Sequence, residues 1–127
     1  MKKLFWAHLL GFYLTAVCGW GADRTARWKE VDDAVKKGLP KSAISALEPI
    51  IKEALAEKAY AEAVNAIARK IVLESNIQGN KPEEKITRLQ SVIATAPKEI
   101  APILDTILAQ WYWHYFPSTI HFLTSRN

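Results

Sequence analysis

Pro40-Lys41-Ser42-Ala43-Ile44-Ser45-Ala46-Leu47-Glu48-Pro49-Ile50-Ile51-Lys52-Glu53-Ala54-Leu55 is the stretch that decides the fold. Ile44, Leu47, Ile51 and Leu55 recur at steps of three and four, which lines one face of a helix; a strand would need steps of two. Pro40 suits the first helical position, where its missing N–H costs nothing. Pro49 falls inside the pattern, where its ring crowds the carbonyl four residues back, at Ser45. The expectation is a kinked helix, or two short helices meeting at Glu48.

The same period extends in both directions. Upstream, Trp28, Val31 and Val35 mark a helix over about residues 25–37, with Asp23 or Thr25 able to cap its start and Gly38 placed to stop it. Downstream, Tyr60, Val64, Ile67 and Ile71 share a face over 60–75, and Ala63, Ala66 and Ala68 allow close approach by a neighbour. Residues 76–80, Asn-Ile-Gln-Gly-Asn, read as a loop. Pro82 opens a fourth helix over 82–95, with Glu83 and Glu84 favourable to its dipole and Ile86, Leu89 and Ile93 as its stripe. A fifth starts at Pro97 or Pro102 and runs to Phe116. There Pro117 is expected to end it and begin a tail over 117–127.

Two five-residue runs echo each other at a distance of twenty. Ala43-Ile44-Ser45-Ala46-Leu47 and Ala63-Val64-Asn65-Ala66-Ile67 both read Ala, β-branched, polar, Ala, large aliphatic. Small residues near helix starts suit stacked helical hairpins of the tetratricopeptide kind, although the spacing is not that repeat's 34 residues. The expected fold is therefore all-α: four to five helices in stacked hairpins, in one domain over 23–116.

Residues 1–22 read as a secretory signal peptide. Lys2 and Lys3 precede an apolar stretch over 4–17, and small residues follow at Ala16, Cys18, Gly19 and Gly21. Cleavage after Cys18, Gly19 or Gly21 fits best. Thr15-Ala16-Val17-Cys18 is a poor lipobox because Val17 is bulky. An uncleaved segment or a lipid would be the only membrane attachment. Cys18 is the sole cysteine, so the mature chain has no disulfide and depends on packing. About 105 residues remain, enough for one small core burying about 60–65% of the unfolded surface.

The formal charge of +4 includes Lys2 and Lys3; without them 15 basic residues face 13 acidic ones, a charge of +2. The signs are mixed along the chain, which lacks the basic face that nucleic acid requires. A secreted or periplasmic protein with a protein partner is the expectation.

Catalytic patterns are missing. Glu30, Asp32, Asp33, Glu48, Glu53, Glu57 and Glu62 fall on expected polar helix faces, not opposed across a cleft. Ser42, Ser45 and Ser75 lack a Gly-x-Ser-x-Gly setting. His114 and His121 are seven apart across Pro117, with no cysteine to complete a zinc site. Neither an enzyme activity nor a metal nor any other cofactor is expected, and no small-molecule substrate.

Trp111-Tyr112-Trp113-His114-Tyr115-Phe116 is the one unusual surface signal. Six aromatic residues in a row give a helix apolar surface on every side, which calls for packing partners on more than one face. Trp and Tyr also suit sugar platforms and membrane interfaces. A protein contact through Trp111, Trp113 and Tyr115 is the simpler reading.

Three segments together resemble the start of large bacterial alpha-2-macroglobulin-like proteins. They are Trp28-Lys29-Glu30-Val31, then Lys37-Gly38-Leu39-Pro40-Lys41-Ser42-Ala43, then Trp111-Tyr112-Trp113-His114-Tyr115-Phe116. The resemblance covers about 28–116 and implies a helical region that follows a signal peptide. Whole members of that family carry macroglobulin β-sandwiches, a bait region and commonly a Cys–Gln thioester, and they trap proteases. This chain has no thioester motif. After Phe116 the family's polar continuation gives way to Pro117-Ser118-Thr119-Ile120-His121-Phe122-Leu123, a break resembling a frameshift or premature end. The resemblance therefore implies a truncated docking module and assigns protease inhibition to no residue here. A free-standing helical-repeat adaptor for a peptide or envelope protein is the alternative.

Overall fold

The computed structural model describes the backbone of residues 20–124 and the side chains of 23–115. Apart from 20–22, the expected signal peptide and its cleavage sites lie outside these residues. The described chain is all-helical, with five helices in sequence: α1 (Trp20–Lys36), α2 (Pro40–Ala56), α3 (Tyr60–Ile77), α4 (Pro82–Thr95) and α5 (Ala101–Thr124). Each packs mainly on its neighbour in the chain, α1 on α2, α2 on α3, α3 on α4 and α4 on α5.

The first three helices end in one way. Gly38 N–H bonds to the Val35 carbonyl (3.0 Å) and Leu39 N–H to that of Ala34 (2.9 Å). Lys58 and Ala59 repeat this against Leu55 (3.2 Å) and Ala54 (2.8 Å), and Gly79 and Asn80 against Asn76 (3.4 Å) and Ser75 (2.9 Å). These are Schellman closures, which need a left-handed residue just past the helix. Gly38 (φ 69°), Lys58 (φ 59°) and Gly79 (φ 96°) supply it. After α1 and α2 a three-residue link then returns the chain, and after α3 one of four residues, so that α2 and α3 begin twenty residues apart, at Pro40 and Tyr60. The two echoing runs thus occupy equivalent positions, each starting at the fourth residue of its helix.

Burial explains the echo. Ala43, Ala46 and Leu47 of α2 are buried, as are Ala63, Val64, Ala66 and Ile67 of α3. α2 lies between α1 and α3, so its buried side is wider than one stripe and uses Ala43, Ala46, Ile50 and Ala54 for close contact. Ile44, Ile51 and Leu55, expected in the core, are half-buried at the edges. Two apolar clusters result. One joins α1, α2 and α3 through Val31, Ala34, Ala43, Leu47, Ile50, Ala66 and Leu73. The other joins α3, α4 and α5 through Val64, Ile67, Ile71, Leu89, Ile100 and Leu104.

Several sequence expectations need correction. α1 begins at Trp20, five residues ahead of the expected start, and Asp23 pairs with Arg27 (2.8 Å) from within the first turn. α2 is continuous through Pro49, so the split at Glu48 does not occur. Of the two expected starts for α5, Pro102 holds, as its second residue, and Pro97 does not. Pro117 does not end α5, which continues to Thr124, so residues 117–124 are helix and not a separate tail. An internal proline removes one donor and crowds one carbonyl, a local cost of about 3 kcal/mol. The remaining turns of a long helix absorb it, at Pro117 as at Pro49.

Candidate docking surface

The aromatic run is divided by helix geometry. At 3.6 residues per turn, Trp111 and Tyr115 lie about 40° apart on α5, while Trp113 lies about 200° from Trp111. Trp111 accordingly packs against the α3–α5 cluster. The Lys85 ammonium sits 4.9 Å from its ring centre, a cation–π contact with α4. The Tyr115 hydroxyl donates to Glu83 Oε1 (2.9 Å), and Gln90 Nε2 donates to the Tyr112 hydroxyl (3.0 Å). These contacts hold the inner face of α5 on α4.

Trp113 points the other way and is 75% exposed. Ile103, ten residues earlier on α5, is 43% exposed. Of the three expected surface residues, Trp113 is therefore open, while Trp111 and Tyr115 are half-buried within the chain. His114 turns inward on its own helix, with Nδ1 2.8 Å from the Gln110 carbonyl oxygen. The side chain of His121 lies outside the described residues. No group of three His, Cys, Asp or Glu suited to a metal occurs among the described residues.

A second apolar feature lies between α2 and α4. Ile51 and Leu55 form one wall, Ile67 and Ile71 of α3 the floor, and Val92, Ala96 and Ile100 the far wall of a groove of about 330 Å³. Lys70 and Glu74 edge it. Both are engaged, Lys70 with Glu48 (3.0 Å) and Glu74 with Arg88 (3.1 Å).

Most of the carboxylates singled out in the sequence serve α1, α2 and α3. Arg24 pairs with Glu57 and with Glu62 (3.2 Å), Arg27 with Glu53, and Arg69 with Asp32 (2.5 Å). The Trp28 indole N–H donates to Glu62 (2.7 Å), and the Arg69 guanidinium lies 5.9 Å from the Trp28 ring centre. The hydrogen bonds to Glu57 and Glu53 hold the Arg24 and Arg27 guanidinium groups above their ordinary pKa, so both remain charged. These pairs span 26 residues (Arg27 to Glu53) to 38 residues (Arg24 to Glu62) in sequence. No local spacing could have announced them.

No family model, curated protein or solved structure matches this chain. No helix among the described residues is long and apolar enough to cross a membrane.

Proposed function

We propose that this chain is a secreted helical docking module, the helical N-terminal region of an alpha-2-macroglobulin-like protein, and that it meets its protein neighbour through the outer face of α5. The supporting observation is Trp113, 75% exposed in a helix whose other face is already packed. Scattered small apolar residues are ordinary on surfaces, but a tryptophan that can bury about 150–250 Å² anchors protein contacts. Protease trapping would belong to the other domains of such a protein, since no bait or thioester element occurs in these 127 residues.

Two measurements test this reading. The gene is sequenced across the codon for Phe116 and read downstream in three frames. A continuing frame encoding β-sandwich domains and a Cys–Gln motif supports the family assignment, and its absence removes it. Sedimentation velocity of the chain and of Trp113→Ser then tests the docking face. Self-association that the substitution weakens is expected, whereas a monomer indifferent to it counts against the face.

The groove between α2 and α4 favours a second reading, a helical-repeat adaptor of the tetratricopeptide kind. There an apolar side chain of a bound peptide would enter between Leu55 and Ala96. In that case Leu55→Glu, and not Trp113→Ser, abolishes partner binding.

A further inference from the structure

The two ends of the helical stack are fastened differently. α1 is the first helix of the described residues, yet it buries Val31 completely and Ala34 to 7% exposure, and Arg24, Arg27, Trp28 and Asp32 tie it across to both α2 and α3. At the other end, Leu104 is the last fully buried residue among the described side chains. Every described side chain after it, from 105 to 115, is half-buried or exposed. Ile107, Leu108 and Trp111 pack there only part-buried, at the edge of the α3–α5 cluster. Further contacts reach α4 at its surface, among them those from Tyr115 to Glu83, Tyr112 to Gln90 and Trp111 to Lys85. The polar and cation–π contacts are ones that water can replace, each worth about 1 kcal/mol or less where exposed.

We propose that α5 beyond Leu104 is a strap, which opens from α4 as a unit while α1, α2 and α3 stay folded. In a linear stack each helix depends on its neighbours, so the least buried end opens at the lowest free energy. Ordinary helix fraying does not account for this, because α5 continues to Thr124 and residues 108–115 lie in its interior. Opening has a structural consequence. Closed, the strap presents Trp113 but keeps Trp111 and Tyr115 against α4. Open, it presents all three aromatic residues as a single mobile helix. The docking surface that the aromatic run implies is complete only in the open state. This purpose rests on the docking reading above; the opening itself requires no partner.

Hydrogen–deuterium exchange of the whole chain, read by mass spectrometry with no partner present, tests the strap. Amides of 108–115 are expected to exchange at least about ten-fold faster than those of 43–54, relative to their intrinsic rates. Amides of 28–34 in α1 should exchange with the slow group. Tyr115→Phe should speed 108–115 a further three-fold or so, by loss of one hydrogen bond to a carboxylate, and leave 43–54 unchanged. Lys85→Met should act in the same direction. Equal protection of 108–115 and 43–54 would overturn the proposal, as would equal loosening of α1 or a Tyr115→Phe effect shared by the whole chain. A strap seen by exchange with no Trp113 effect on association would retain the opening and reject only its use in docking.

Discussion

Lys58 holds a backbone conformation that its side chain disfavours. Its φ of 59° places it where Gly38 and Gly79 stand at the ends of α1 and α3. A left-handed residue with a Cβ costs about 1–2 kcal/mol, partly offset because glycine makes the unfolded chain more flexible. Lys58→Gly is therefore expected to stabilise the protein by about 0.5–1 kcal/mol, a rise of a few degrees in melting temperature. A thermal melt followed by circular dichroism checks this, and an unchanged or lower midpoint would mean that Lys58 earns its place by a contact. Glu83 offers a second test at this scale. Its carboxylate is held below the ordinary range by its own backbone N–H at the start of α4, then by the Tyr115 hydroxyl and nearby Lys81, against an opposing desolvation. The folded state therefore releases this proton more readily than the unfolded chain. The associated stability is present above the ordinary carboxylate range and is lost as the pH falls through the folded-state value. Tyr115→Phe should move the Glu83 midpoint upward, measured by carboxylate NMR titration; an unmoved midpoint would remove the hydroxyl as a cause.

Helices were legible in the sequence where a start signal and an apolar period coincided. Pro40 and Pro82 open α2 and α4 where they were expected, and Tyr60 begins α3. Gly38 and Gly79 announced their turns, whereas Lys58 gave no sign because nothing in a lysine side chain favours positive φ. A proline misled once, at Pro117; at Pro49 the first of two expected forms, one helix with the proline inside it, is the one found. A proline lowers helix stability by a fixed local amount, while whether a long helix survives is decided by everything else along it. The apolar stripe of α2 was misread for a related reason. The sequence period locates one face, but a helix packed on two sides buries two, and the alanines between the large residues became core. The aromatic run read as apolar on every side, and its faces part company in the fold: Trp111 and Tyr115 meet α4, while Trp113 faces out. Trp111 and Trp113 are adjacent but one in the chain and nearly opposite on the helix, a distinction that became decisive once α4 was placed.

At the scale of the molecule, α3 is the element that joins the two apolar clusters. Ala66 and Leu73 belong to the cluster shared with α1 and α2, and Val64, Ile67 and Ile71 to the one shared with α4 and α5. Damage to α3 should therefore spread in both directions, while damage in α5 should stay local. Ile67 is 8% exposed, and Ile67→Asp places an unpaired charge in the face that binds the far cluster. A domain of this size has only about 5–15 kcal/mol of stability in total, and a buried unpaired charge removes several. Loss of the helical signal throughout, with Trp28 fluorescence shifting to that of exposed indole, is expected. Leu104→Ala removes a fully buried side chain, at about 2–5 kcal/mol, from the end that is least buried already. It should release α5, with α4 weakened, and leave a separate cooperative melt reported by Trp28 between α1 and α3. Fluorescence and circular dichroism transitions that no longer coincide would be its signature. If both variants instead lose Trp28 burial and helicity together, the two clusters act as one cooperative core and α3 is no boundary between them.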